Sequence, residues 1–292
     1  MTDRYFIFGA GYSGQAIGLE ALETGAEVHG TSRSDDKAEH LRSLGMKAHI
    51  FDGSEVTADI AEALHRTTHL VISIAPGDAD PVLAVARTFI AQRMPPLRWI
   101  GYLSTVGVYG DHEGAWVDED SELRPTAQRS QERLAAENEW LQLGKEIGVP
   151  VAVLRLSGIY GPGRNALASL ANGTARRIIR KGQVFNRTHV DDIAGAALHL
   201  AAAGTGGVFN ITDDEPSPPQ DLIVHAARLM GVEPPAEEPF EGLELSPMAR
   251  SFWGECKRVS NARIKEQGYR LRYPDYRAAL DQLWQSGRWR GR

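Results

Sequence analysis

Cysteine is nearly absent. Cys256 stands alone in 292 residues, so no intramolecular disulfide can form and a reducing compartment is expected. No neighbouring base in sequence marks it as a nucleophile, and it reads as an inert thiol. No apolar run is long enough to span a bilayer, and Met1-Thr2-Asp3-Arg4 lacks a signal-peptide shape. A cytoplasmic protein with no membrane partner is therefore expected. The nine histidines are scattered, and neither H-E-x-x-H nor a paired-cysteine motif occurs, so no metal site is expected. An excess of basic charge is missing too. The net charge of -6 argues against a nucleic-acid partner, although it leaves room for a local basic pocket. Internal repeats and long low-complexity segments are also lacking.

What is present begins at once. Tyr5-Phe6-Ile7-Phe8 is a short apolar run, Gly9-Ala10-Gly11-Tyr12-Ser13-Gly14 follows it, and residues 16–22 are mixed apolar. This reads as a strand, a glycine-rich turn and a helix start, in the G-x-G-x-x-G spacing of a dinucleotide fingerprint. Gly9 would allow the tight turn, and Gly11 would let a pyrophosphate approach the backbone. Gly14 would let the helix pack close to the strand. The helix N-terminus, around Tyr12 and Ser13, would offer N–H groups and partial positive charge to the phosphates.

The next segments alternate. Residues 27–31, 47–51, 69–74, 98–103 and 149–156 read as strands. Residues 35–44, 55–64, 81–92 and 126–147 read as helices between them. Such alternation predicts an α/β fold: a doubly wound, parallel Rossmann sheet with helices on both faces. After Leu156 the texture changes. Residues 158–164 form a turn-rich loop, residues 191–203 an Ala-rich helix and residues 207–211 another strand. Residues 213–247 are acidic and proline-rich, broken by a helix at 219–230. The expected division is a dinucleotide-binding domain over residues 1–160, with 187–211 returning to it. A smaller C-terminal substrate lobe would span 212–292, with 161–186 contributing, over the carboxyl edge of the sheet.

The end of the second strand normally meets the adenosine ribose. An acid there suits the 2′-hydroxyl of NAD, whereas an Arg suits the 2′-phosphate of NADP. Here the segment is Gly30-Thr31-Ser32-Arg33-Ser34, with no acid before Asp35. Ser32 and Arg33 make a phosphate pocket, since Arg binds phosphate through charge-assisted bonds. The plainer alternative is a solvated Arg at a helix start. NADP(H) is the expected cofactor, with NAD as the alternative. Asp52 and Gly53 would lie by the adenine, and Ala75 under the cofactor.

Several segments resemble the extended short-chain dehydrogenase/reductase family, which includes sugar-nucleotide epimerases and dehydratases. Leu103-Ser104-Thr105-Val106-Gly107-Val108-Tyr109-Gly110 is similar to the family's fifth-strand motif, and Asp118-Glu119-Asp120 ahead of Pro125 to its acidic loop. The stretch from Leu154 to Arg164 resembles the sixth-strand motif, and Asn186-Arg187-Thr188-His189-Val190-Asp191-Asp192 the segment that returns to the nucleotide domain. Val208-Phe209-Asn210-Ile211 and Arg258-Val259-Ser260-Asn261 also fit. By this resemblance Thr105 would polarise the substrate. A homodimer through residues 126–147 is likewise implied by resemblance alone.

The family's active pair is a Tyr with a Lys four residues later. Aligned on Leu134-Ala135-Ala136-Glu137, those positions hold Arg129 and Arg133. Arg cannot replace a phenol in proton transfer, because its guanidinium stays charged and only donates. Arg133 would still hold the nicotinamide ribose, and Arg129 would clamp an anion. Spaced i,i+4, the two share a helix face. The alternative is a solvated basic face, with Glu132 and Glu137 balancing its charge. Tyr109, Tyr160 and His189 read as structural, and Asp118 and Glu119 as solvated loop acids. Two functions fit: an atypical NADP(H)-dependent oxidoreductase or epimerase-like enzyme acting on a small acidic or nucleotide-sugar substrate, and a non-catalytic module sensing NADP(H).

Overall fold

The computed structural model describes residues 2–244, 250 and 252–291, so residues 245–247 of the acidic segment lie outside them. The chain divides into two compact units. The first comprises Met1–Val108, Gln128–Arg155 and Ile193–Phe209, and the second Tyr109–Ala127, Leu156–Asp192 and Asn210–Arg292.

The first unit is built on a seven-stranded sheet. Its strands are β1 (Arg4–Phe8), β2 (Glu27–Ser32), β3 (Lys47–Ile50), β4 (His69–Ile72), β5 (Trp99–Thr105), β7 (Val151–Leu156) and β11 (Gly207–Ile211), in the order β11-β7-β5-β4-β1-β2-β3. The β1/β2, β2/β3, β1/β4 and β4/β5 pairs are parallel. Strand order reverses between β1 and β4, the topological switch point at which doubly wound sheets bind ligands. Phe6, Ile7 and Phe8 are fully buried. A strand covered on both faces needs a continuous apolar run rather than alternation, which is why this segment reads as it does. The observed strands match the expected ones to within about two residues.

Helices α1 (Tyr12–Glu23), α2 (Asp35–Ser43), α3 (Ala58–His65), α4 (Pro81–Arg93) and α5 (Gln128–Ile147) connect the strands. The third helix starts later than residue 55 because Thr57, in an extended conformation, is its N-cap. At α4 the Asp80 carboxylate accepts from the amides of Val82 and Leu83 at 2.9 Å, with Pro81 opening the helix. Its other oxygen takes the Trp140 indole N–H of α5 at 2.9 Å. One carboxylate thus satisfies a helix end and a buried indole together.

A buried ion pair fixes α5. Glu137 on α5 meets Arg155 on β7 at 2.8 Å, with side-chain exposures of 1% and 4%. The Ser104 hydroxyl of β5 donates to the same carboxylate at 2.5 Å. Glu137 is therefore not a solvated counter-charge for a basic helix face. Its carboxylate is the joint between a helix and two strands.

The second unit carries short ladders: β6 (Trp116–Val117) with β13 (Arg258–Val259), β8 (Gly158–Tyr160) with β10 (Arg187–His189), and β9 (Arg177–Ile179) with β12 (Glu237–Pro239). Its core joins Tyr160, Leu167, Ala226, Tyr276, Leu280 and Trp289. Among the described residues no helix is long and apolar enough to cross a membrane.

Removing one partner of a buried pair strands the other charge, at a cost of about 3–5 kcal/mol. Glu137→Ala should therefore lose about that much in urea unfolding, and Glu137→Leu with Arg155→Met should regain most of it. A loss below about 1 kcal/mol for Glu137→Ala would refute the role given to this pair.

Candidate active site

The sheet register gathers the proposed residues. Phe8 pairs with Ile72 and Ile72 with Tyr102, while Ile7 pairs with Gly30 and Ser32 with Ile50. Gly9, Ser32, Arg33, Asp52, Gly53, Ala75 and Thr105 all fall at or just beyond the carboxyl ends of neighbouring strands β1 to β5, where ligands bind in open parallel sheets.

The glycine turn is held rigidly. Gly9 has φ +82°, a left-handed conformation that costs other residues about 1–2 kcal/mol. Its amide donates to the Thr31 hydroxyl at 2.8 Å, and the Ala10 amide to the Thr31 carbonyl at 2.9 Å. A Cβ at Gly9 would lie 2.7 Å from the Ile74 side chain, and one at Gly14 would lie 2.7 Å from the Gly9 carbonyl. A Cβ at Gly11 would meet nothing within 4 Å. Two glycines are thus forced by close packing, and the middle one faces open space. Ser13 is buried and Tyr12 half-buried in the first turn of α1, and no side chain caps that helix. The turn, the open face and the uncapped helix start together fit a pyrophosphate.

Beyond β2, the Ser32 hydroxyl accepts from the Ser34 amide at 3.3 Å. Arg33 is exposed and makes no ion pair or side-chain hydrogen bond among the described residues. Asp52 accepts from the Ser54 hydroxyl at 2.6 Å and the Ser54 amide at 2.9 Å. Those bonds, the hydroxyl's first, hold its carboxyl below the usual range. Gly53 takes φ +95°, and Ala75 is exposed.

At the other end, Thr105 is half-buried and its Oγ1 accepts from the Gly107 amide at 3.1 Å. That bond leaves the threonine O–H free to point elsewhere. A Cβ on Gly107 would lie 2.9 Å from the Ser130 hydroxyl and 3.3 Å from the Thr105 hydroxyl. Ser130, which sequence reasoning passed over, therefore stands beside Thr105. Its only signal was its place next to Arg129. Arg129 is exposed on α5. Arg133 is half-buried, donates to the Leu103 carbonyl and sits 6.0 Å from the Tyr102 ring centroid. It is anchored to β5, so the picture of a wholly solvated basic face fails at Arg133 as it does at Glu137.

In the second unit, the Tyr109 hydroxyl donates to Asn210 at 2.8 Å, and Tyr160 is a core residue. His189 accepts from the Asp191 amide at 3.2 Å. All three are buried. Glu119 is not a solvated acid: its side chain is 2% exposed and it accepts the Asn210 amide at 2.7 Å. Burial pushes its carboxyl up from the ordinary value.

A family profile described as "NAD dependent epimerase/dehydratase family" matches residues 6–212. "Protein YeeZ" of Escherichia coli (strain K12) is 30% identical over 285 residues, covering 92% of this chain and 96% of its own. A solved structure of a functionally unknown conserved protein from Silicibacter pomeroyi DSS is 45% identical, with a TM-score of 0.88 over 98% of this chain and 99% of that one. The human epimerase family protein SDR39U1, solved with NADPH, shares the fold at 20% identity, with a TM-score of 0.73 over 97% of this chain and 99% of that one. The chain belongs to the NAD dependent epimerase/dehydratase family.

Gly14→Ala should cost about 1–3 kcal/mol through overpacking. Gly11→Ala should stay within about 0.5 kcal/mol of the parent, as a change into open space does. Chemical denaturation of both proteins compares them, and equal losses would contradict the open face at Gly11.

Proposed function

We propose that the first unit binds NADP(H), and that the chain is an atypical oxidoreductase or epimerase-like enzyme for a small substrate, either acidic or a nucleotide sugar. The open face at Gly11, between two glycines that close packing forces, carries this reading. Phosphate approach needs such a gap. Arg33 favours NADP(H) over NAD(H): an exposed guanidinium beside Ser32, uncommitted to any carboxylate, suits a 2′-phosphate. The NADPH complex of the human fold relative agrees with that choice.

Bound nicotinamide would supply hydride transfer. Thr105 would donate its O–H to a substrate oxygen, because its lone pair already receives the Gly107 amide. Arg129 would orient an anionic substrate group, and Arg133 would hold the ribose with the donors that Leu103 does not use. On the alignment that sets Arg129 and Arg133 at the family's Tyr and Lys positions, the proton would come from water or from another group. A second reading, a module that binds NADP(H) without turnover, draws support from that same pair of arginines. It requires NADP⁺ and NADPH to bind with different strength, since a ligand shifts states only through differential affinity.

Calorimetric titration tests the cofactor. A charge-assisted bond is worth about 1.5–3 kcal/mol, so Arg33→Ala should weaken NADPH binding about 10- to 100-fold and leave NADH alone. Unchanged NADPH affinity would remove the argument from Arg33. Gly11→Ala should weaken both cofactors while the fold stays intact. Turnover of NADPH with acidic carbonyl compounds or nucleotide sugars, reduced in Thr105→Val, separates the enzyme from the sensor.

A further inference from the structure

Across the outer strands of the first unit, four titratable side chains form one continuous chain. Glu27 Oε1 meets His29 Nε2 at 2.8 Å, His29 Nδ1 meets His49 Nε2 at 2.9 Å, and His49 Nδ1 meets Asp59 Oδ2 at 2.5 Å. The two imidazole side chains are each 11% exposed. They stack on one another at 5.2 Å between centroids, and over Phe6 of β1 at 6.1 and 5.7 Å. Lys47 of β3 donates to Glu27 at 2.9 Å, and Arg4 of β1 lies 3.8 Å from its other oxygen. The Thr57 hydroxyl donates to Asp59 at 2.5 Å. Among the described residues these are the charged and polar groups facing the pair from β1, β2, β3 and α3.

The protons can be counted. Each of the three contacts needs one hydrogen, and two neutral imidazoles bring only two. The third proton does not sit on a carboxylate. Hydrogen bonds from His29 and Lys47 hold Glu27 down to about 2, and hydrogen bonds from His49 and Thr57 hold Asp59 down to about 2. It therefore sits on the imidazole pair. His29 is the neutral member: burial keeps its pKa below the ordinary value, against the pull of Glu27. It donates from Nε2 to Glu27 and accepts at Nδ1. His49, with Nε2 against His29 and Nδ1 against Asp59, is the ring placed to donate from both nitrogens. A further proton has no acceptor left inside the pair. Placed on His29 Nδ1 it would face the His49 N–H across 2.9 Å.

We propose that His29 and His49 form an acid-sensitive latch on the sheet edge, stable with one shared charge and broken when a second proton sets N–H against N–H. Breaking it parts His49 from His29, and with them β3 from β2, at the point where β3 runs into the Asp52–Gly53 turn. The proposal does not depend on the cofactor reading, because the latch is closed by protein groups alone.

The sign follows from proton uptake. A His whose folded pKa is depressed stabilises the fold above its unfolded value, about 6.5. That stability is lost as pH falls toward the folded value. Unfolding then takes up one extra proton, so the unfolding constant rises up to about tenfold per pH unit below about pH 6.5. Glu27 and Asp59 lose their own contributions only between their ordinary values, 4.5 and 3.8, and about 2, which is below this window.

The full chain with ¹⁵N-labelled histidine, without cofactor, tests the proton count by NMR. At neutral pH one of the two rings should have both nitrogens protonated and the other only Nε2. Two neutral rings, or two charged rings, would overturn the proposal. Urea unfolding between about pH 7.5 and 5 tests the latch. The unfolding constant of the parent should climb relative to His29→Phe by up to about tenfold per pH unit, and parallel curves would overturn it. If His29→Phe does not fold, His49→Gln replaces it, since a neutral amide can accept from His29 and opposes no proton. On acidification to about pH 5, amide exchange over residues 47–59 should accelerate more in the parent than in the substituted protein. Equal exchange would limit the latch to the side chains and defeat the claim that it holds β3.

Discussion

The carboxylate of Glu137 is the point on which the candidate active site depends. It lies inside the protein, so it needs Arg155 for charge and Ser104 for a further hydrogen bond. Those partners stand on β7 and β5, which locks α5 in rotation and in height against two strands. Arg133 is one turn earlier on the same helix and therefore reaches the Leu103 carbonyl. Ser130 comes a further turn toward the N-terminus, beside Thr105 and Gly107. Ala136, Trp140 and Leu143 bury the C-terminal half of α5 in the core, and the ion pair adds a polar contact that fixes the half bearing Arg133 and Ser130.

Much of the fold was legible because backbone requirements leave a direct mark. A strand buried on both faces must be apolar, and Tyr5 to Phe8 shows it. A turn that needs left-handed backbone at Gly9 and close approach at Gly14 can be written in few ways. The candidate site was legible where a loop followed a strand end, as at Ser32, Arg33 and Asp52. It was illegible where the answer depended on which neighbour folding supplies. Glu137 and Glu119 look like solvent-facing acids in sequence, and each is buried by a partner far along the chain: Arg155 for the one and the Asn210 amide for the other. No local rule pairs Glu137 with Arg155 in preference to Arg133, four residues away on its own helix. The histidine pair was hidden for the same reason. His29 and His49 are twenty residues apart, and only the β2/β3 register brings them onto one face.

The two ends of the candidate site differ in kind. At the glycine turn, backbone geometry does the work and side chains are excluded. Beside Thr105, side chains do the work: a hydroxyl whose lone pair is already engaged, a second hydroxyl close by, and a guanidinium tied to a strand carbonyl. A Cβ at Gly9 or Gly14 would meet packed neighbours at 2.7 Å, whereas the groups beside Thr105 are side chains that can be altered one at a time.

Asp80 spends both of its oxygens on different helices, one on the first amides of α4 and one on the indole of Trp140. The loop that bears Ala75 runs directly into that residue, and Trp140 lies two turns along α5 from Arg133. With α5 already locked by Glu137, this one carboxylate ties the end of the loop to the same helix that carries Arg133, so both ends of the site rest on a common frame.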